Sequence, residues 1–504
     1  MLIFKPVRCR CAPIALALVT VLGALCLDAR ASVPLIPASD EIAREIQTAK
    51  KYADQHRYPE ALNHYKKALT GTIAITGEQH QDIALYKNEI GIVYLNMGKY
   101  SEAHNILMQA AETAEKEFGS QNPDSAAIYS NLGFALCRLG DYEKALNWHQ
   151  RALAIRENLP NAEGLDTTDA CGDIAFIYER QGNYRAALDW YKRTLAIREK
   201  ALGTVHPAVA IVYDNIAAMH QILGEQDEAR TWRQKAIAVR TQIMDDQGTK
   251  TASAYRNAAL IHSGQADYEN TLKSNKQALA IEEKNFGKQH PVTIAIRNDI
   301  ASVYDKKGDY KQASIWYKKV LADQENILGK GHPSTAMIYN NIAVAEARLG
   351  NYKQALEDLR KAVGIFERSG SEEHPDVGMV FANIAWVHSK IRDYDKAEEW
   401  ARKAMAVNEK IFGKEHPFTG TSYGNVAMTY LNRKQYDKAV SGYLQAYRIY
   451  RTQFGETYPQ TASFKGNLER AYKLSKHSKP FGDWLAESLS ERPQPPSQQE
   501  EEEN

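Results

Sequence analysis

The sequence predicts an all-α protein, a solenoid of helical hairpins stacked in a row, and three recurrences predict it. Proline stands at Pro123, Pro207, Pro291, Pro333, Pro375, Pro417 and Pro459, always 42 residues or twice 42 apart. Glycine keeps the same register at Gly98, Gly140, Gly182, Gly224, Gly308 and Gly350, and after most of these a tyrosine follows two residues on. An alanine column runs through Ala61, Ala103, Ala145, Ala187, Ala229, Ala313, Ala355, Ala397 and Ala439, broken by Thr271. A fixed period of this length marks units that bury their apolar faces by stacking on their neighbours. The prior of one compact domain per ~150 residues therefore does not apply to this chain.

Taken in chain order, the first element is a leader. Lys5, Arg8 and Arg10 precede an uncharged run from Ala12 to Leu27, and Ala29 and Ala31 place small residues before Ser32. This is the pattern of a secretory signal peptide over residues 1–31, with cleavage before Ser32. A retained membrane anchor over residues 12–27 is the alternative, against which stand its short length and Pro13. Three of the five cysteines leave with the leader, and Cys137 and Cys171 remain. Two cysteines make no disulfide framework. Their register also separates them by about 12 Å along the helices, too far to bridge.

From residue 39 to residue 459 there is room for ten hairpins of 42 residues. Proline opens the first helix, where its missing N–H costs nothing, and the glycine ends that helix by permitting a left-handed turn. The apolar spacing between them is helical, as in Ile338, Ile342, Ala345 and Leu349. A second small column, Gly91, Gly133, Ala175, Ala217, Ala259, Ala301, Ala343, Ala385 and Ala427, lets the helices approach closely. Two joints depart from the pattern, Leu159 to Asp166 and Asp245 to Lys250. A half repeat and a short helix fill residues 460–489, where Glu469 and Arg470 give the polar face a solenoid end requires. The tail 490–504, with three prolines and five glutamates, is expected to be disordered.

These columns resemble tetratricopeptide repeats, in the 42-residue form of kinesin light chains. The LGKGHP opening at 328–333, the NNIA segment at 340–343, the GNYKQA turn at 350–355 and the KAV of the second helix carry the resemblance. It implies a right-handed superhelical solenoid whose concave face, lined by the first (A) helix of each hairpin, binds a peptide or a protein. No heptad stalk or motor-binding segment accompanies the array, so the resemblance does not imply transport.

The A helices carry the candidate site. One column reads Gln47, Glu89, Asn131, Asp173, Asn215, Asn257, Asp299, Asn341, Asn383, Asn425 and Asn467. An amide donates and accepts, so each asparagine can either pair with the backbone of an extended ligand or brace the adjacent hairpin. Three residues further lie Phe134, Phe176, Leu260, Val344, Trp386 and Met428, and four beyond those Arg138, Arg180, Lys306, Arg348 and Lys390. Backbone clamps, apolar pockets and a positive edge suit an extended peptide that carries aliphatic or aromatic side chains and acids. Interhelical packing and a solvated rim are the plainer readings of the last two columns. In hairpins eight to ten Asn341, Asn383 and Asn425 are uninterrupted with Val344, Trp386 and Met428 beside them, and Arg348 and Lys390 supply charge in eight and nine.

Other chemistries have little support. With 63 basic and 62 acidic residues the chain has no field to gather nucleic acid; without the leader the balance is 59 to 61. His206, His290, His332, His374 and His416 recur once per repeat, about 10 Å apart, so they do not converge on one metal ion. Tyr65, Tyr191, Tyr317 and Tyr443 fall on the second helix as core residues. No nucleophile triad, phosphate loop or HExxH motif is present, so neither enzyme nor cofactor is expected. The leading expectation is a secreted or periplasmic scaffold that binds a peptide or protein partner, with no membrane contact once the leader is removed. The rivals are an intracellular or membrane-anchored kinesin light chain-like adaptor and a regulatory subunit of an enzyme on another chain.

Overall fold

The computed structural model describes residues 39–77, 80–119, 121–159, 164–247, 252–264, 267–369, 374–456 and 458–490. The leader, the tail 491–504 and the centres of the two irregular joints lie outside these residues; Ser490 ends the last helix. Every described element is a helix. Ten A and B pairs follow one another: Asp40–Asp54 with Tyr58–Thr76, Gln81–Asn96 with Tyr100–Glu117, Pro123–Leu139 with Tyr142–Glu157, Leu165–Arg180 with Tyr184–Leu202, Pro207–Ile222 with Gln226–Gln247, Ala252–Gly264 with Tyr268–Phe286, Pro291–Lys307 with Tyr310–Leu328, Pro333–Arg348 with Tyr352–Arg368, Pro375–Lys390 with Tyr394–Phe412, and Pro417–Asn432 with Tyr436–Phe454. Pro459–Leu474 and Phe481–Ser490 follow them. The described residues form two compact units that divide between Asn383 and Ile384, inside the A helix of hairpin nine.

The small columns are the packing spine. Each of the nine alanines in the first column is at most 3% exposed, and Thr271, which breaks the column, is 2% exposed, so the column is buried along its length. Gly91 and Gly133 take the place of alanine because large B-helix side chains fill the space. A Cβ on Gly91 would lie 2.5 Å from Leu107, and one on Gly133 would lie 2.5 Å from the His149 ring.

Wherever it is described, the turn between A and B helices is left-handed. Gly98, Gly140, Gly182, Gly224, Gly308 and Gly350 have φ between 70° and 90°. His56, Arg392, Lys434 and Lys476 occupy the same position in units that lack the glycine and keep φ between 56° and 64°. The stacking therefore imposes a backbone that costs a side chain about 1–2 kcal/mol. In the second unit Tyr472, Phe481 and Trp484 stack around Leu485 and cover the last apolar face.

Candidate functional site

The histidine column has a structural task. His80, His206, His290, His332, His374 and His416 each precede an A helix, and each Nδ1 accepts a hydrogen bond from the backbone N–H two residues on, at 3.0 to 3.3 Å. The ring thus does what Ser or Asn does at a helix start, and hairpin three uses Asn122 for it, at 2.8 Å. An accepting Nδ1 requires the neutral ring with its proton on Nε2. Among the described residues no three metal-ligating side chains gather into one site. Cys137 and Cys171 are free and buried.

The asparagine column lies close to the helix interface. Asn131 is buried and its Nδ2 donates to Asn88 Oδ1 of the preceding hairpin at 2.9 Å. The same brace recurs where Asn383 Nδ2 donates to Asn340 Oδ1 at 2.8 Å. Both asparagines therefore serve the bracing that the sequence left as one of two roles. Asn215 is buried too, and its Oδ1 has no protein partner. Asn341 and Asn425 are half-buried and reach the surface; the side chain of Asn257 lies outside the described residues. At Glu89 and Asp299, two of the acidic positions in the column, the carboxyls are held toward their neutral form. Burial pushes Glu89 up to about 7, with the Tyr65 hydroxyl donating to it at 3.3 Å, and burial pushes Asp299 up to about 6 against the pull of Arg256 and Lys306.

The apolar column is a surface feature as well as packing. In the first unit Phe134, Phe176 and Val344 are half-buried and Leu260 is exposed; in the second unit Trp386 is half-buried and Met428 exposed. A helix places residues three and four apart on one face, so Asn341, Val344 and Arg348 share a face in hairpin eight. In the second unit Trp386 and Lys390 are four apart, with the Lys390 ammonium 6.0 Å from the indole centroid.

The basic column is not one continuous edge. Arg348 and Lys390 are exposed. Arg138 is instead half-buried, donates to the Tyr100 hydroxyl at 3.0 Å and lies 5.1 Å from that ring, while Arg180 Nε donates to the Tyr142 hydroxyl at 3.4 Å. The sequence carried no sign of this difference, because Tyr100 and Tyr142 stand at the glycine turn of every regular unit. Nor did it mark Asn88 and Asn340, the acceptors of the brace, which sit one residue before the column and lack its regularity.

A family profile described as tetratricopeptide repeat matches residues 51–116, 84–158, 124–200, 168–242, 250–326, 334–410 and 391–452. No curated protein matches the chain significantly. Among solved structures, the nearly identical TPR-like repeats of a Podosopora anserina putative kinesin light chain are similar at 19% identity, over 41% of this chain and 99% of that one, with a TM-score of 0.38. BtubC from P. vanneervenii is similar at 20% identity, over 46% of this chain and 95% of that one, with a TM-score of 0.37. A Rap protein complexed with Competence and Sporulation Factor is similar at 15% identity, over 74% of this chain and 98% of that one, with a TM-score of 0.43.

Proposed function

The chain belongs to the tetratricopeptide repeat family, and from that premise we propose that it is a scaffold that binds an acidic, partly apolar segment of a partner protein along its A helices. Arrays of this family bind peptides and proteins and are typically non-catalytic. The observation that carries the ligand class is the exposed face of hairpin eight, where a half-buried amide, a half-buried aliphatic side chain and an exposed guanidinium follow one another as Asn341, Val344 and Arg348. The second unit repeats that chemistry with Trp386 beside Lys390, and with Asn425 and Met428. An amide that fixes backbone, an apolar contact and a rim charge is the arrangement that holds extended peptides.

Binding to a library of extended peptides, with acidic and neutral arms, tests this. Trp386→Ala is expected to weaken most ligands, and Arg348→Glu with Lys390→Glu to select against the acidic arm and flatten the salt dependence. If neither change moves affinity for any bound peptide, the A-helix face is not the binding surface. Asn341→Ala is the milder amide variant, since Asn341 accepts only a 3.4 Å bond from the adjacent Asn340, whereas Asn383 braces the neighbouring hairpin and its loss would lower stability as well.

We further propose that the chain is exported, as a secreted or periplasmic protein, on the charge and small-residue pattern of residues 1–31. Fractionation of the native host with intact-mass measurement decides it: a chain that begins at Ser32 is expected, and one that retains residues 12–27 at a membrane would support the anchored adaptor.

A further inference from the structure

We infer that the first compact unit closes on itself through a clasp, in which the turns of hairpins two to four seat on the helix starts of hairpins eight and nine, and that acidification opens it. The contact begins at Gly98. A Cβ there would lie 2.5 Å from Pro333 Cδ and 3.0 Å from the His332 ring, whereas Gly224, Gly308 and Gly350, at the same turn position, have open space around them. The backbone of Asn96 hydrogen-bonds the His332 ring, and Leu328 packs into the core that contains Val93 and is flanked by Met97. Next to this, Tyr100 stacks on His374 with ring centroids 5.9 Å apart, and Phe366 stacks on His374 at 5.5 Å. Arg138 ties Tyr100 from behind, and Asp376 lies within electrostatic reach of both Arg138 and Arg180. Five elements far apart in sequence thus meet around two histidines.

The charges set the direction of the response. His332 is held down to about 4 by burial and then by Arg138, against the Asn96 backbone. His374 is held down to about 3 by burial, with Asp376 opposing and Arg138, Arg180 and His332 lowering it further. Their Nδ1 atoms cap helices, His374 Nδ1 also lying 3.5 Å from its own helix's Asp376, so a proton on either ring breaks a cap and adds charge near Arg138, and for His374 near Arg180 as well. In an open clasp the rings are hydrated and titrate near 6.5. The open state therefore binds more protons, and the closed state is fully favoured above about 6.5 and loses ground as pH falls toward 4. Each histidine shifts the equilibrium by up to about 50-fold between pH 6.5 and 4.5. Opening uncovers Arg138 and Arg180, which makes the clasp a gate for acidic ligands; that consequence rests on the ligand reading above, and the clasp itself does not.

The test needs no ligand. Small-angle scattering and amide exchange are recorded on the full mature chain at pH 7.5 and 4.5, with exchange corrected for the intrinsic rate. Residues 94–100 and 332–336 are expected to lose protection and the radius of gyration to rise at pH 4.5. Gly98→Asn, tolerated in a left-handed turn but colliding with Pro333, is expected to give the open values already at pH 7.5, and Gly224→Asn, with the same turn and no neighbour, to leave the chain closed. The double variant His332→Asn, His374→Asn keeps the cap acceptor, as Asn122 does in hairpin three, and is expected to stay closed at pH 4.5. A Gly98→Asn chain indistinguishable from Gly224→Asn, or an acid response undiminished in the double variant, overturns the clasp. Should Gly98→Asn unfold hairpin two, seen as loss of protection throughout 81–117, the histidine variant still decides.

Discussion

Hairpins three and eight carry the same columns and put them to different use. In hairpin three Asn131 is buried and bonded to Asn88, Gly133 faces the His149 ring, and Arg138 is tied to Tyr100 beneath the helix starts of hairpins eight and nine. In hairpin eight Asn341 reaches the surface, Ala343 replaces the glycine, and Arg348 is exposed. Position in the repeat fixes which way a side chain points, and what lies opposite it decides whether it braces a neighbour or reaches the surface. A column in a solenoid is thus a set of equivalent directions, not of equivalent sites.

The sharpest way to test the contrast is to add one methyl group to hairpin three. Gly133→Ala would force the His149 ring, itself 1% exposed and closely packed, out of its place. A loss of about 3 kcal/mol is expected, at the upper end for overpacking. Ala343→Gly, the reverse change in hairpin eight, is expected to cost no more than about 1 kcal/mol. Urea unfolding followed by exchange at each hairpin measures both, and equal losses would contradict the difference in packing.

A smaller effect is expected at the amides. Asn131→Ala removes a buried hydrogen bond and leaves Asn88 unpaired, at about 2 kcal/mol. Asn341→Ala is expected to stay within about 0.5 kcal/mol, as surface changes do, and to act on ligand affinity. A thermal shift in the second variant as large as in the first would show that the whole column is a brace.

The smallest difference belongs to the arginines. Arg138→Ala gives up a hydrogen bond and a cation–π contact with Tyr100, together about 1 kcal/mol, and is expected to deprotect 332–336. Arg348→Ala is expected to leave stability unchanged and to lower the salt dependence of peptide binding. Melting curves at low and high salt separate the two, and a stability loss in Arg348→Ala would place that residue in the framework.

Much of the fold was legible in advance because its signals are local. Pro333 at a helix start, Gly350 at a left-handed turn and Ala343 at a close approach each act within a few residues, and the period repeats the message ten times. The histidines were read as structural, and their recurrence beside proline was the visible trace of the cap they provide. The site was less legible. The column puts Asn383 and Asn131 on the A helices, but their acceptors Asn340 and Asn88 belong to another hairpin and to another column. The turn also proved stricter than glycine suggested, since Arg392 and Lys434 adopt it without one.

What the sequence by itself determined is the hairpin: its length, its turn, its small-residue spine and the side of the helix each column occupies. These depend on short-range sterics and on periodic burial, which a single chain spells out residue by residue. Only the tertiary structure decided which columns stay open. The contact of Gly98 and Tyr100 with Pro333 and His374 joins residues more than 230 positions apart, and it arises from small rotations added over six hairpins. No single residue encodes that sum, so Arg138 and Arg348 look alike in sequence and differ in the folded protein.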